Sequence, residues 1–212
     1  MTNTPLAKLL EMSAARHRHL CPRQVLGVRI GLAGGTALDL ALPRQDKRVL
    51  VILETDGCFA DGVEVASGCT IGHRTLRVED YGKIAATFID VARGAAVRLC
   101  PRPEIREQAF TYAGDERRRY FAQLNAYQEM PDAELLTIQP VRLSTRVEQI
   151  VSRPGVRVNC AECGEEIINE REVLCGEAVL CRGCAGLAYY KVIGEPLPIP
   201  LWLANQTVKN PA

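Results

Sequence analysis

The sequence predicts an α+β fold, with helices packed on a β-sheet, followed by a small C-terminal zinc ribbon. Three observations predict it. Helical and strand-like hydrophobic patterns follow one another in a mixed order along the first two thirds of the chain. A tight turn at Arg93-Gly94 joins two strand-like segments. Two Cys-x-x-Cys pairs lie near the C-terminus, with the spacing of a metal-binding ribbon.

Two helices are predicted at the start of the chain. Apolar residues of the first, over residues 5–16, recur three and four positions apart, which indicates an amphipathic helix. Apolar residues cover most of the second, over residues 22–35, which indicates burial. A glycine inside a helix costs about 1 kcal/mol relative to alanine, so a close backbone contact, more readily with another helix than with a ligand, is expected at its glycine face. That face consists of Gly27, Gly31 and Gly35.

The elements that follow combine strands with short helices. Residues 49–53 form an unbroken apolar run with β-branched members, which predicts a buried central strand. A short helix over residues 59–66 comes next. The later predicted elements are strands over residues 84–91 and 95–99, a helix from near Asp115, and a strand over residues 138–143 that Pro140 places at a sheet edge.

Composition excludes several classes of protein. Hydrophobic residues make up 47% of the 212 residues and charged residues 24%, with a formal net charge of +1. Such a balance gives no general attraction to nucleic acid or to an anionic membrane. Neither a signal peptide nor an apolar run of about 18 residues is present, so reduced thiols and a cytoplasmic location are expected. Four arginines near the second helix are expected to form a solvated basic face: Arg16, Arg18, Arg23 and Arg29.

Four C-terminal cysteines predict a structural zinc site. They are Cys160, Cys163, Cys181 and Cys184, with 17 residues between the two pairs. A two-residue gap lets one turn bring two thiolates onto one ion, and the intervening stretch is long enough for a short hairpin. Two disulfides or idle thiols are the alternative. This pattern divides the chain into a core over residues 1–152 and a ribbon with the C-terminal tail over residues 156–212. The apolar segment 196–202 in that tail is expected to pack on a neighbouring surface.

A second group of reactive residues lies in the first half of the chain. Cys58 is predicted at the N-terminus of the short helix, where the helix dipole stabilises a thiolate and lowers the thiol pKa. Asp61 follows one turn later and serves as its proton partner in a catalytic interpretation. An imidazole, two thiolates and a carboxylate also form a plausible ligand set for zinc or iron. Buried, inert cysteines are the simpler alternative, and the metal-ligand candidates are His19, Cys58 and Cys69.

These clusters resemble the FmdE-like family, which takes its name from formylmethanofuran dehydrogenase. The matching segments, in order, are His19-Leu20-Cys21-Pro22, Cys58-x-x-Asp61, Gly68-Cys69-Thr70-Ile71-Gly72 and Asp80-Tyr81-Gly82-Lys83. The resemblance implies a mostly antiparallel sheet, a zinc-finger domain and an intertwined homodimer. It also implies a metal or active site around His19, Cys58, Asp61, Cys69 and, as a further member, Cys21. Arg23 departs from the glycine that the family usually has after Cys-Pro.

Three functions follow from these patterns. The first is a metal-binding accessory, handling or sensing partner in molybdenum- or tungsten-dependent formylmethanofuran dehydrogenase metabolism, with a second ion, zinc or iron, in the core. The second is a thiol-dependent enzyme that uses Cys58 and Asp61. The third is a regulatory zinc finger that contacts a protein. Contact with nucleic acid is disfavoured, because residues 164–180 carry five glutamates and one arginine.

Overall fold

The computed structural model describes residues 5–151 and 153–194. The chain divides into two compact units, Met1–Val151 and Ser152–Ala212, and each is described by itself. The predicted packing segment 196–202 lies outside the described residues. Among the described residues, none of the helices is both long enough and apolar enough to cross a bilayer.

The first unit contains seven helices and five strands within its described residues. In chain order they are α1 (Leu6–His17), α2 (Pro22–Ala37), β1 (Val49–Leu53), α3 (Cys58–Ser67), β2 (Leu76–Val78), β3 (Ala86–Asp90), β4 (Ala96–Pro101), α4 (Ile105–Tyr112), α5 (Arg119–Glu129), α6 (Asp132–Leu135), β5 (Leu136–Val141) and α7 (Val147–Val151). The two predicted N-terminal helices and the central strand are therefore confirmed. The predicted helix near Asp115 begins four residues later, at Arg119.

The five strands form one sheet in the order β2-β1-β3-β4-β5. The β1–β2 pair is parallel and the other three pairs are antiparallel, so the predicted α+β class with a mostly antiparallel sheet is confirmed. One face of the sheet packs on the main hydrophobic core, to which Val51, Phe88 and Leu99 contribute. The other face carries a smaller apolar cluster around Leu50 and Ile89, against which α7 packs.

Helices α2 and α3 meet through their backbones. A Cβ atom added at Gly27 would lie 2.3 Å from the carbonyl oxygen of Phe59, and one added at Gly31 would lie 2.4 Å from Cβ of Ala66. Because both contacts advance in the same direction along the two helices, α2 and α3 are parallel. The predicted helix contact is thus confirmed for these two glycines. Gly35 differs, because its nearest neighbours are Leu40 and Leu42 in the connection that leaves α2.

A buried arginine fixes α2 against the end of α5. Arg29 is 9% exposed, and its guanidinium donates hydrogen bonds to the carbonyl oxygens of Tyr127 (2.8 Å) and Met130 (2.6 Å). It also donates to Oδ1 of Asp132 at 2.6 Å. Terminal carbonyl groups of a helix lack partners within the helix, so these bonds satisfy acceptors that burial would otherwise leave unpaired. The interpretation of Arg29 as part of a solvated basic face was therefore wrong.

A buried carboxylate holds the turn between β3 and β4. Asp90 is fully buried and accepts hydrogen bonds from the Arg48 guanidinium and from the backbone N–H groups of Ala92 and Arg93. The Arg48 guanidinium, followed by these N–H groups, lowers the pKa of Asp90 from 3.8 to about 2. The carboxylate therefore stabilises the fold in its ionised form.

The second unit consists of two short hairpins and a final turn within its described residues. The first hairpin pairs β6 (Arg157–Asn159) with β7 (Glu166–Ile168), and the second pairs β8 (Val173–Cys175) with β9 (Ala178–Leu180). A turn of π-helical type, Gly183–Leu187, follows. The hydrophobic residues of the unit that are buried are Cys160 and Ile167, counted over its described part.

Replacing Gly27 with alanine tests the contact between α2 and α3. The new methyl group would meet a backbone carbonyl, which cannot move aside as a flexible side chain can. We expect a loss of about 2 kcal/mol in the free energy of unfolding, measured by urea denaturation. Gly72→Ala is the matched control, since no atom lies within 4 Å of the added Cβ. Equal stability of the two variants would contradict the proposed close contact.

Replacing Asp90 with asparagine tests the buried carboxylate. Because the folded-state pKa is depressed, the ionised group contributes stability above pH 4, and this contribution is lost as pH falls towards 2. At pH 7 we expect Asp90→Asn to destabilise the protein by about 2 kcal/mol. The difference from the wild type should shrink as the pH of the urea titration is lowered from 4 to 2. Asp46→Asn, at an exposed pair with Arg44, should have a smaller effect.

Candidate functional site

The four ribbon cysteines converge on one point. Their Sγ atoms all lie within 4.8 Å of one another, a spacing that one metal ion can bridge. Cys160 and Cys163 lie in the turn between β6 and β7, whereas Cys181 and Cys184 follow β9. Each of these two segments therefore contributes two cysteines, as the sequence spacing predicts. The four cysteines form a cluster that could hold one metal ion.

Backbone N–H groups surround the sulfur atoms of this cluster. The N–H of Cys181 donates to Sγ of Cys160 at 3.3 Å, and the N–H of Cys184 donates to Sγ of Cys181 at 3.3 Å. Hydrogen bonds from the N–H groups of Cys163 and Cys181 lower the pKa of Cys160 to about 6. The neighbouring Cys181 sulfur, together with burial, raises the pKa of Cys184 well above its ordinary value. One thiolate thus forms readily, while a cation is required to bring all four sulfurs to the ionised state.

A second group of reactive side chains lies where α2 and α3 begin. Cys21 occupies the N-cap of α2, and its backbone N–H donates a hydrogen bond to Oε1 of Gln24 at 2.9 Å. Cys58 is the first residue of α3 and follows Gly57, whose φ of 76° suits glycine and turns the chain into the helix. Since α2 and α3 are parallel, both N-termini lie at the same end of the helix pair.

The Cys58 thiol is partly exposed, and Cys21 influences its ionisation. Burial, followed by a hydrogen bond with the Cys21 side chain, raises the pKa of Cys58 above its ordinary value. The nearby Arg23 guanidinium acts in the opposite direction with a smaller effect. The lowered pKa predicted from the helix dipole is therefore wrong, because loss of solvent and a neighbouring sulfur outweigh the dipole.

Asp61 lies one turn along α3 but pairs with α1. Its Oδ2 atom is 3.1 Å from Nε2 of His17, and its Oδ1 atom is 3.9 Å from the Arg16 guanidinium. The same guanidinium lies 2.5 Å from the carboxylate of Glu64. The carboxylate of Asp61 thus faces a histidine and an arginine, where the sequence pattern predicts the Cys58 thiol.

His19 lies in the short connection between α1 and α2. Arg18 ends α1 in a left-handed conformation with φ of 64°, and the side chain of His19 is exposed to solvent. The ring centroids of His17 and His19 are 6.0 Å apart. The exposed His19 imidazole belongs to no group of three or more potential metal ligands within the described residues.

Cys69 lies at the opposite end of α3 from Cys58. It is 1% exposed, its Sγ atom donates to the carbonyl oxygen of Val49 at 3.4 Å, and burial raises its pKa. A ten-residue helix is about 15 Å long, so Cys58 and Cys69 are too far apart to bind one ion within one protomer. Within one protomer, this corrects the expectation that His19, Cys58 and Cys69 share a single cavity.

Sequence reasoning missed two contacts near the N-terminal part of α3. The Tyr120 hydroxyl donates to the carbonyl oxygen of Leu20 at 3.3 Å, and burial together with the Cys21 and Cys58 sulfurs raises its pKa. His17, the last residue of α1, faces Asp61. The spacing His17-x-His19-x-Cys21 was the available signal for His17. No signal marked Tyr120, which lies a hundred residues from Leu20 in the chain.

The protein thus has an α+β fold with two groups of reactive residues. One is the thiol pair Cys21 and Cys58, where α2 and α3 begin, and the other is the four-cysteine cluster of the ribbon. A family model described as "FmdE, Molybdenum formylmethanofuran dehydrogenase operon" matches residues 16–137. This range is more than half of the chain, and it includes Cys21, Cys58 and Tyr120. The protein therefore belongs to the FmdE family, as the four ordered motifs predict.

Comparison with known proteins finds two further similarities. A tungsten formylmethanofuran dehydrogenase FmdE-like protein from Syntrophus aciditrophicus has a similar structure, with a TM-score of 0.57 at 22% identity. The match covers 90% of this chain and 100% of that one, and it shows the fold. A probable S-adenosyl-L-methionine-binding protein from Archaeoglobus fulgidus is 30% identical over 208 residues. The match covers 90% of this chain but only 56% of that relative.

The raised pKa of Cys58 predicts slow alkylation at neutral pH. The rate of iodoacetamide modification at Cys58, followed by peptide mass spectrometry, should reach half its maximum at a higher pH than that of glutathione. Cys21→Ser should move this midpoint to lower pH by removing the neighbouring sulfur, but burial should keep it above that of glutathione. A wild-type midpoint at or below that of glutathione would contradict the described surroundings of Cys58.

Proposed function

We propose that this protein is a metal-binding accessory protein, which holds one structural zinc ion in its ribbon and acts beside a formylmethanofuran dehydrogenase-type enzyme. The observation that carries the proposal is the convergence of four sulfur atoms within 4.8 Å. Membership of the FmdE family supports the connection to that enzyme system. In this function the chain contributes binding and organisation, and the redox chemistry belongs to the partner enzyme.

Zinc fits the donor set better than other common ions. Four thiolates in a closed tetrahedral arrangement are typical of structural zinc, whereas calcium and magnesium prefer oxygen ligands. The ribbon also needs an ion for stability. With Cys160 and Ile167 as its buried hydrophobic residues over the described part, apolar burial alone stabilises it little. Coordination then supplies much of the free energy of folding.

The ribbon surface favours a protein partner. Large apolar side chains are exposed there, including Leu174 (72% exposed), Leu187 (64%) and Tyr189 (98%). Exposed apolar groups of this kind are typical of protein contact surfaces. The acidic residues between the two cysteine pairs oppose binding to phosphate groups. We accordingly propose that the ribbon binds a protein partner. We also propose that the chain forms a homodimer, which light scattering of the purified protein tests directly.

Metal analysis of the full-length protein tests the zinc site. We expect one zinc ion per chain in the wild type and its loss in Cys181→Ser, measured by inductively coupled plasma mass spectrometry. Cys175→Ser is the matched control, because Cys175 is in the same unit but outside the four-cysteine cluster. Retention of zinc in Cys181→Ser, or its equal loss in Cys175→Ser, would contradict the site.

The same measurement tests the core ion that the sequence predicted. Because Cys69 is separated from Cys58 by the length of α3, we expect a ratio of one ion per chain even after incubation with zinc or ferrous iron. A ratio of two ions per chain in the wild type, falling to one in Cys58→Ser, would contradict this expectation and support the predicted core metal site. Ribbon variants alone should therefore change the metal content.

A further inference from the structure

Two cysteines meet at the shared end of the parallel helices. Gly62 of α3 would place a Cβ atom 2.4 Å from the carbonyl oxygen of Gln24 in α2, so the N-terminal parts of the two helices are in contact. Cys21 is the N-cap of α2, and Cys58 is the first residue of α3. The tight backbone packing thus fixes the two thiols beside each other, although 36 residues separate them in the sequence.

Geometry and electrostatics agree that the sulfurs are neighbours. The Tyr120 hydroxyl donates to the carbonyl oxygen of Leu20, next to Cys21, at 3.3 Å. The Cys21 side chain raises the pKa of Cys58, and both sulfurs raise the pKa of Tyr120. Cys58 is partly exposed, whereas Cys21 is only 7% exposed. One thiol of the pair is therefore accessible to a reagent in solution, and the other is held behind it.

We propose that Cys21 and Cys58 form a redox-active dithiol, which closes reversibly to an intrachain disulfide by exchange with a small-molecule disulfide. This activity is independent of the ribbon zinc and of the proposed accessory function. It uses two cysteines that do not belong to the metal cluster.

The exchange consists of two displacement steps. The accessible Cys58 thiolate attacks one sulfur of the reagent disulfide, forms a mixed disulfide and releases the first reagent thiolate. The Cys21 thiolate then attacks the Cys58 sulfur and releases the second. Each cysteine loses a proton, and each released thiolate gains one. The two cysteines together lose two electrons, and the reagent disulfide is reduced to two thiols.

The surroundings of the pair suit this chemistry better than metal binding. Among the described residues no third cysteine, histidine or carboxylate joins Cys21 and Cys58 within the distance that one ion spans. Asp61 is engaged by His17 and Arg16 on α1. The charged and titratable groups that do face the thiols are Arg23 and Tyr120, and neither is a usual ligand for zinc.

Peptide mapping of the intact, zinc-loaded protein tests the proposal. The protein is equilibrated in buffers of oxidised and reduced glutathione, free thiols are alkylated, and the sample is digested with an endoprotease that cleaves after glutamate. Cleavage after Glu54 and Glu64 separates Cys58 from Cys69. We expect a linked peptide pair containing Cys21 and Cys58 that disappears on reduction. Its amount should fall as the squared concentration of reduced glutathione, divided by the concentration of oxidised glutathione, rises.

Three variants complete the test. Cys21→Ser and Cys58→Ser should each abolish the linked peptide, and Cys21→Ser should instead accumulate a stable glutathione adduct on Cys58. Serine is a favoured N-cap residue, so Cys21→Ser is expected to fold. Cys100→Ser is the control and should retain the link. A glutathione adduct on Cys58 that persists in the wild type while Cys21 stays alkylatable would overturn the proposal, as would the lack of any reaction.

Zinc content separates this proposal from the proposed function. Cys21→Ser and Cys58→Ser should retain one zinc ion per chain while losing the disulfide, because neither residue belongs to the ribbon cluster. Conversely, Cys181→Ser should lose zinc and still form the link between Cys21 and Cys58. Loss of the link together with zinc in Cys181→Ser would contradict the independence of the two sites.

Discussion

The backbone contact between α2 and α3 is the constraint on which the first unit depends. Gly27 and Gly62 allow each helix to approach the other's main chain, and Ala66 packs on Gly31. This approach makes the helices parallel and brings both N-termini to one end. The thiol pair, the facing tyrosine and the ion pairs from α1 all lie around that end. A larger side chain at the crossing would separate the helices and disperse the whole arrangement.

The second unit depends on a different kind of interaction. Its hairpins are three residues per strand, and its described part buries little apolar surface. Backbone N–H groups are directed at the cysteine sulfurs, and the proposed ion would join the two cysteine segments. Close packing organises the first unit, whereas the proposed coordination would organise the second.

Local patterns predicted the fold better than they predicted the core site. Short stretches of neighbouring residues were enough to predict three features. These are the strand over residues 49–53, the edge strand with Pro140 and the cluster formed by the two Cys-x-x-Cys pairs. Cys58 and Cys69 are close in sequence, but the intervening helix holds them at opposite ends. Contacts such as Arg29 with Asp132, or Tyr120 with Leu20, join residues about a hundred positions apart, and no local pattern encodes them.

The sparse interior of the ribbon has a consequence for the protein in the cell. If the ribbon folds only with its proposed zinc ion bound, it would expose an unfolded chain to proteases whenever zinc becomes scarce. Degradation would then remove copies that lack the ion, and the amount of intact protein would follow the nutritional supply of zinc. The four cysteines would in this way couple the abundance of the protein to the mineral status of the organism, without any dedicated sensor.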